Sequence, residues 1–200
     1  MTNQDERQSN SAQGTPRERL LAAAAKVVAD RGYDAATIKA IARAAGVAPG
    51  LVHYYFASKD ELLVEMLREE SARYAAAMQR VATQVPPERL AAVALGEPKE
   101  RVARQPEWYR LRYALFALAL HNDAIAPGVR DLLASGREGI AAMVPRALGA
   151  TVDPPAALAA VLLACFDGLA LQRLLDPEVD LEAAYGALTR MVQALGHPQS

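Results

Sequence analysis

The sequence contains one cysteine, Cys165, one tryptophan, Trp108, and three histidines in 200 residues. A lone cysteine closes no intrachain disulfide, which removes the stapled secreted scaffolds. His53, His121 and His197 are scattered, no H-x-x-x-H pair occurs, and Cys165 lies in an apolar stretch. Neither a metal-ligand spacing nor a nucleophile constellation is therefore present, and no cofactor is implied. No basic segment followed by an apolar one opens the chain, so no signal peptide is expected. The longest apolar run, Pro154 to Phe166, ends at Asp167 and falls short of the roughly 20 residues of a membrane span. No stretch alternates with period two, and no internal repeat is visible. What is left is a cytoplasmic globular protein, without a membrane partner, long enough to bury a sizeable core.

The formal charge of −1 is unevenly spread. Residues 1–59 carry eight Lys/Arg against five acids, or +3, leaving 14 bases and 18 acids, or −4, for the other 141 residues. A basic front on an acidic body points one end toward a polyanion, although solvated charge on helix faces produces the same balance.

Residues 1–14 are polar without apolar periodicity and read as a disordered arm. Thr15, Pro16 and Glu18 then spell a capping box with proline at the first helical position. Leu20, Leu21, Ala24, Val27 and Val28 recur at helical spacing, and Gly32 supplies the stop. Thr37 caps a short helix through Ala44, Ala45-Gly46-Val47 makes a turn, and another short helix covers about Ala48 to Tyr55. Ser58 and Glu61 form a second capping box, opening a long helix to about Val81. Beyond Pro86-Pro87 the pattern predicts a segment over Glu88–Leu95 and a separate one near Lys99–Arg104. Helices are expected from Pro106, over about Pro127–Leu148, over Pro155–Leu175 and over Leu181–Leu195. The class is all-α, with about nine helices.

The informative stretch is Thr37–Leu62. Two short helices joined by a tight turn bearing Gly46 meet the requirements of a helix-turn-helix. Ile38, Ile41, Ala42, Ala45, Val47, Leu51 or Val52, and Phe56 face inward, and small Ala42 and Ala45 let the helices cross closely. The outer face of the second helix is then free to enter a major groove about 12 Å wide. Periodicity alone leaves two short helices of a bundle as the alternative.

The segment Leu20–Leu62 resembles the N-terminal domain of the tetracycline-repressor (TetR-type) family of bacterial one-component regulators. The resemblance is carried by Gly32-Tyr33, Ala36-Thr37, Ile41-Ala42, Ala45-Gly46-Val47, Gly50, Tyr55-Phe56, and Lys59 with Leu62. The C-terminal half resembles the betaine-regulator-like branch through Asp167-Gly168-Leu169-Ala170 and Leu174-Leu175-Asp176-Pro177. The resemblance implies a three-helix DNA-binding domain over residues 15–57 and a larger helical ligand-binding and dimerisation domain over residues 58–200.

By position, the resemblance assigns phosphate contacts to Thr37 and Lys59, both near positive helix N-termini. Lys39 and Arg43 project outward and add backbone contacts that anchor without specifying. The recognition helix supplies Ala48, Pro49, Gly50, His53 and Tyr54. Ala48 departs from the usual Ser or Thr, and His53 stands where tyrosine is commoner. No Lys or Arg lies between Ala48 and Phe56, so bidentate guanine readout is not expected from this helix. Base reading falls to His53, the Tyr54 hydroxyl and contacts with thymine methyls, with a backbone or purely surface role for His53 as the alternative.

The helix from Pro106 holds Trp108, Tyr109, Tyr113, Phe116 and His121, and Tyr74, Met78 and Phe166 could close the same space. Such walls suit a small-molecule pocket, which the resemblance implies, although aromatic stripes are also plain core. Arg112 follows Trp108 by four residues, and Asp167 interrupts an apolar helix. The two could pair with each other or face a ligand; the alternatives are a head in solvent on a packed stem for Arg112, which is the preferred reading there, and a helix-edge place or bonds to backbone groups for Asp167. The helix Pro155–Leu175 is apolar all round, and the one before it carries Gly136, Gly139, Ala141 and Ala142. Together they suggest a four-helix interface, two helices from each copy of a homodimer. The expected function is a ligand-responsive bacterial transcriptional regulator of the repressor type. It would bind a palindromic double-stranded operator as a homodimer and be released by a small apolar or aromatic effector. A helical enzyme, or an interaction module that does not use its helix-turn-helix, are the alternatives.

Overall fold

The computed structural model describes residues 14–149 and 154–196. The arm expected over residues 1–14, Gly14 apart, and His197 lie outside the described residues. Among the described residues there are nine α-helices and no strand. Helix α1 (Pro16–Ala35) opens on the expected capping box: Thr15 Oγ1 accepts from Glu18 N at 3.2 Å, and Glu18 Oε2 accepts from Thr15 N at 2.7 Å. Gly32 breaks its regularity at φ 78°, ψ 176°, and a further turn follows to Ala35.

Helix α2 (Ile38–Ala45) is capped by Thr37, whose Oγ1 accepts from Ala40 N at 3.1 Å. It ends at Gly46 in the left-handed region, φ 67°, ψ 35°, where a side chain would be strained. The turn leads into α3 (Pro49–Tyr55), with proline at its first position. Ser58 Oγ then accepts from Glu61 N at 3.0 Å and opens α4 (Lys59–Gln84), while Glu61 Oε2 reaches back to Ala57 N.

Helix α5 (Pro87–Arg104) corrects the expectation of two separate segments. It runs unbroken through Pro98, because Leu90, Ala91, Leu95, Pro98, Arg101 and Val102 are all buried on it. Proline inside a helix costs about 3 kcal/mol, which burial of two leucines at roughly 1.5–3 kcal/mol each offsets. Helices α6 (Pro106–Ala119), α7 (Ala126–Leu148), α8 (Pro155–Leu175) and α9 (Leu181–Gly196) follow, and α6 ends before His121, which the sequence pattern places on it.

The described residues fall into two compact units. One comprises those of Met1–Glu69 and Arg110–Val129, the other those of Glu70–Tyr109 and Arg130–Ser200. In the first unit Leu20, Leu21, Ile41, Val52, Leu62, Leu63 and Leu67 are fully buried, and Val52, rather than the half-buried Leu51, is the inward residue of α3. In the second, Leu95, Leu162, Tyr185, Leu188 and Val192 form the core, with Phe166 stacked on Tyr185 at 6.2 Å between ring centroids. A cavity of about 50 Å³ lies among α5, α7, α8 and α9, lined by apolar side chains including Leu95, Ile140, Met143, Leu162 and Phe166.

Two readings change, that of the apolar helix and that of Arg112. The helix containing the run from Pro154 continues past Asp167 to Leu175, so by length and composition it is long and apolar enough to cross a membrane. On α7, Gly136 and Gly139 serve packing inside the chain. A Cβ at Gly136 would meet Leu163 Cδ2 at 3.4 Å, and one at Gly139 would meet Ala75 Cβ at 4.0 Å. Among the described residues of the second unit, the exposed large apolar side chains lie on α8 (Val161, Leu171, Leu175) and α9 (Met191, Leu195). Arg112 does not reach solvent: it is 4% exposed, its guanidinium 4.5 Å from the Phe116 ring centroid. A planar, weakly hydrated guanidinium meets an aromatic face at less cost than an ammonium would.

Candidate nucleic-acid interface

The short helix α3 is supported from behind and open in front. Val52 is fully buried and Phe56, just past the helix end, is 3% exposed. Ala48, Pro49, Gly50, His53 and Tyr54 all stand exposed, Tyr54 at 79%. The Tyr54 ring meets Tyr55 edge-on at 5.0 Å. On α2, Thr37, Lys39 and Arg43 are exposed as well, so the two short helices present cations and hydrogen-bonding groups together.

Lys59 begins α4 and is half-buried, with its Nζ 3.8 Å from the centroid of the Tyr33 ring. The Tyr33 hydroxyl donates to Asp60 Oδ1 at 3.1 Å. Burial and, next, the charge of Asp60 push the Tyr33 hydroxyl up to about 12. Gly32 makes this contact geometrically available, since its positive φ redirects the chain just before Tyr33. Arg17 on α1 bonds Glu65 at 2.9 Å and Glu69 at 3.2 Å on α4, with its guanidinium 5.5 Å from the Phe56 ring centroid. These part-exposed ion pairs add little stability but fix which faces of α1 and α4 meet.

Tyr33 is legible only as part of the Gly32-Tyr33 pair, and neither its long-range contacts nor those of Arg17 are readable from neighbours in sequence. Their partners lie 27 and 48 or more positions away.

The residues expected to hold an effector divide. In the second unit Tyr74, Trp108 and Tyr109 come together: Trp108 meets Tyr109 edge-on at 5.0 Å, and Arg101 lies over the rings of both Trp108 and Tyr74. Burial raises the Tyr74 hydroxyl well above its ordinary value, against the lowering effect of Arg101. Met78 is buried on α4, while Phe166 lines the apolar cavity and Asp167 is half-buried. In the first unit Arg112 stacks on Phe116, Tyr113 is half-buried and His121 is exposed in the turn after α6. Arg101 was not among the residues singled out from the sequence; a cation seven positions before a tryptophan is too common a pattern to stand out.

Residues 20–66 match the family described as bacterial regulatory proteins, tetR family, and residues 86–197 match the C-terminal region of BetI-type transcriptional repressors. The HTH-type transcriptional regulator BetI of Brucella anthropi is 32% identical over 176 residues, covering 74% of this chain and 88% of the relative. BetI of Rhizobium meliloti is 42% identical over 81 residues, but the match spans 38% of this chain and 39% of that protein. Among solved structures, the multidrug binding protein EbrR complexed with ethidium has a TM-score of 0.68 and 29% identity, covering 88% of this chain and 97% of its own. The helix-turn-helix, its exposed outer face and the all-helical body thus have one family in common. The chain belongs to the tetR family of bacterial regulatory proteins, a transcriptional regulator with a BetI-type C-terminal region rather than an enzyme.

Proposed function

We propose that the protein is a cytoplasmic homodimeric repressor that binds a palindromic operator and is released by a small effector. The observation that carries this reading is the outer face of α3. A helix whose inner face is fully buried while His53 and Tyr54 stand in solvent is rigid where it must be and open where it must read. Thr37, Lys39, Arg43 and Lys59 hold phosphates and set the register; Ala48, Pro49 and Gly50 let the helix approach closely; His53 and Tyr54 meet base edges. Two readers are needed for a palindrome, and the exposed Val161, Leu171, Leu175, Met191 and Leu195 support pairing of copies through α8 and α9.

The effector is bound by the second unit, which offers both an apolar cavity and the aromatic group Tyr74, Trp108 and Tyr109. The ethidium complex of EbrR supports a flat aromatic ligand as one class. Effector and operator then oppose each other by linkage, each weakening the other by the same factor.

The test is selection of bound fragments from the source genome, followed by a salt-dependent gel shift on the selected duplex. His53→Ala and Tyr54→Ala should change base preference by about 1–3 kcal/mol at one position of the half-site. Unselective binding by the intact protein, or preferences that neither substitution changes, would overturn the reading.

A further inference from the structure

The second unit buries a cation against two aromatic rings. Arg101, on the last turn of α5, is 8% exposed. Its guanidinium carbon lies 4.0 Å from the ring centroid of Trp108 on α6 and 4.3 Å from that of Tyr74 on α4. Its Nε donates to Gln105 Oε1 at 2.9 Å, which fixes the plane of the group. A tryptophan face and a tyrosine face converging on one desolvated planar cation are what a receptor for organic cations is made of. Here a tethered side chain fills the receptor.

We propose that Tyr74 and Trp108 form an organic-cation site whose resident occupant is Arg101, so that flat guanidinium- or amidinium-bearing ligands enter only by displacing it. An occupant on the same chain competes at an effective concentration in about the millimolar range or above, so weak free cations are held out. A ligand with a larger aromatic surface has the advantage needed to displace it. The displaced guanidinium has somewhere to go: Glu97 and Glu100 lie within a turn of Arg101 and already hold Arg104 at 2.5 and 3.5 Å. This inference deepens the effector reading above and rests on it only for the consequence of binding; the site itself is tested without DNA.

Trp108 is the sole tryptophan, so its fluorescence reports on this site alone. The probe is methylguanidinium, which replaces the group that Arg101→Ala removes, with methylurea as the neutral isostere. Folded Arg101→Ala should show a saturable change with methylguanidinium at concentrations at least tenfold below any response of the wild type. It should show none with methylurea, and adding Tyr74→Leu should abolish the response. Arg101→Gln is titrated in the same way, so the test survives if the alanine variant does not fold. No saturable response in a folded variant, an equal response in the wild type, or an equal response to methylurea would overturn the proposal. Binding of the wild type to duplex DNA is read separately, and its absence would count against the proposed function while leaving this site standing.

Discussion

The contact between Lys59 and Tyr33 makes a prediction about DNA affinity that separates a positioned cation from a merely present one. Lys59 Nζ lies 3.8 Å from the ring centroid, and a partly exposed cation–π contact is worth about 0.5–1 kcal/mol. Holding the lysine stem beforehand removes part of the roughly 1.5–2 kcal/mol of rotamer entropy otherwise lost when it meets a phosphate. The ammonium keeps N–H donors on its far side, so the ring and a phosphate can share it. Tyr33→Leu should therefore weaken binding to a random duplex by a factor of about 2–5, the equivalent of about a third to a half of that entropy. Tyr33→Phe keeps the ring, loses only the hydrogen bond to Asp60, and should bind like the wild type. Lys59→Ala should lower the slope of log affinity against log salt by about 0.9, one phosphate contact, and on that background Tyr33→Leu should add nothing. Fluorescence anisotropy across a salt series measures the wild type and the four variants. Tighter binding by Tyr33→Leu, or an undiminished effect on the Lys59→Ala background, would refute the coupling.

The same tyrosine gives a pH prediction. Its folded value of about 12 exceeds the ordinary 10, so ionising it opposes the fold, and the stability it contributes is complete below pH 10 and lost between 10 and 12. The difference in ultraviolet absorbance between wild type and Tyr33→Phe should titrate with a midpoint near 12, and a midpoint at 10 would remove the burial. Gly46→Ala places a Cβ in the left-handed region and should cost about 1–2 kcal/mol in thermal or urea unfolding. Gly128→Ala would set a Cβ 2.5 Å from Val64 Cγ1, a side chain 3% exposed, and should cost about 1–3 kcal/mol by overpacking. Leu171→Glu, a charge on the exposed apolar face of α8, should shift sedimentation toward the monomer and leave the helical signal unchanged.

Much of the molecule is written in short-range terms. Thr15 with Glu18, Thr37 with Ala40, and Ser58 with Glu61 act over three positions, so their caps and the helices they open are legible without a fold. Gly46 belongs to the same class, since only the local backbone decides that a left-handed residue is required there. The all-α class, the helix-turn-helix and the outward set on α3 follow from such signals together with apolar periodicity. The Gly96–Pro98 stretch shows where they fail: local propensity argues for a break, and a buried face along the whole of α5 overrides it.

Burial of charge is the other limit. Arg112 and Arg101 look like surface residues in any window of sequence, because a guanidinium in water is the safe expectation. Each is buried instead against aromatic faces, and for Arg101 the Tyr74 face comes from another helix. The sequence by itself determined the all-α class, the capped helix starts and the outward face of α3, because those depend on residues a turn apart. Only the tertiary structure decided that Tyr33 braces Lys59, that Arg17 ties α1 to α4, and that Arg101 fills an aromatic site. Those contacts join residues far apart along the chain and exist only once the helices have packed.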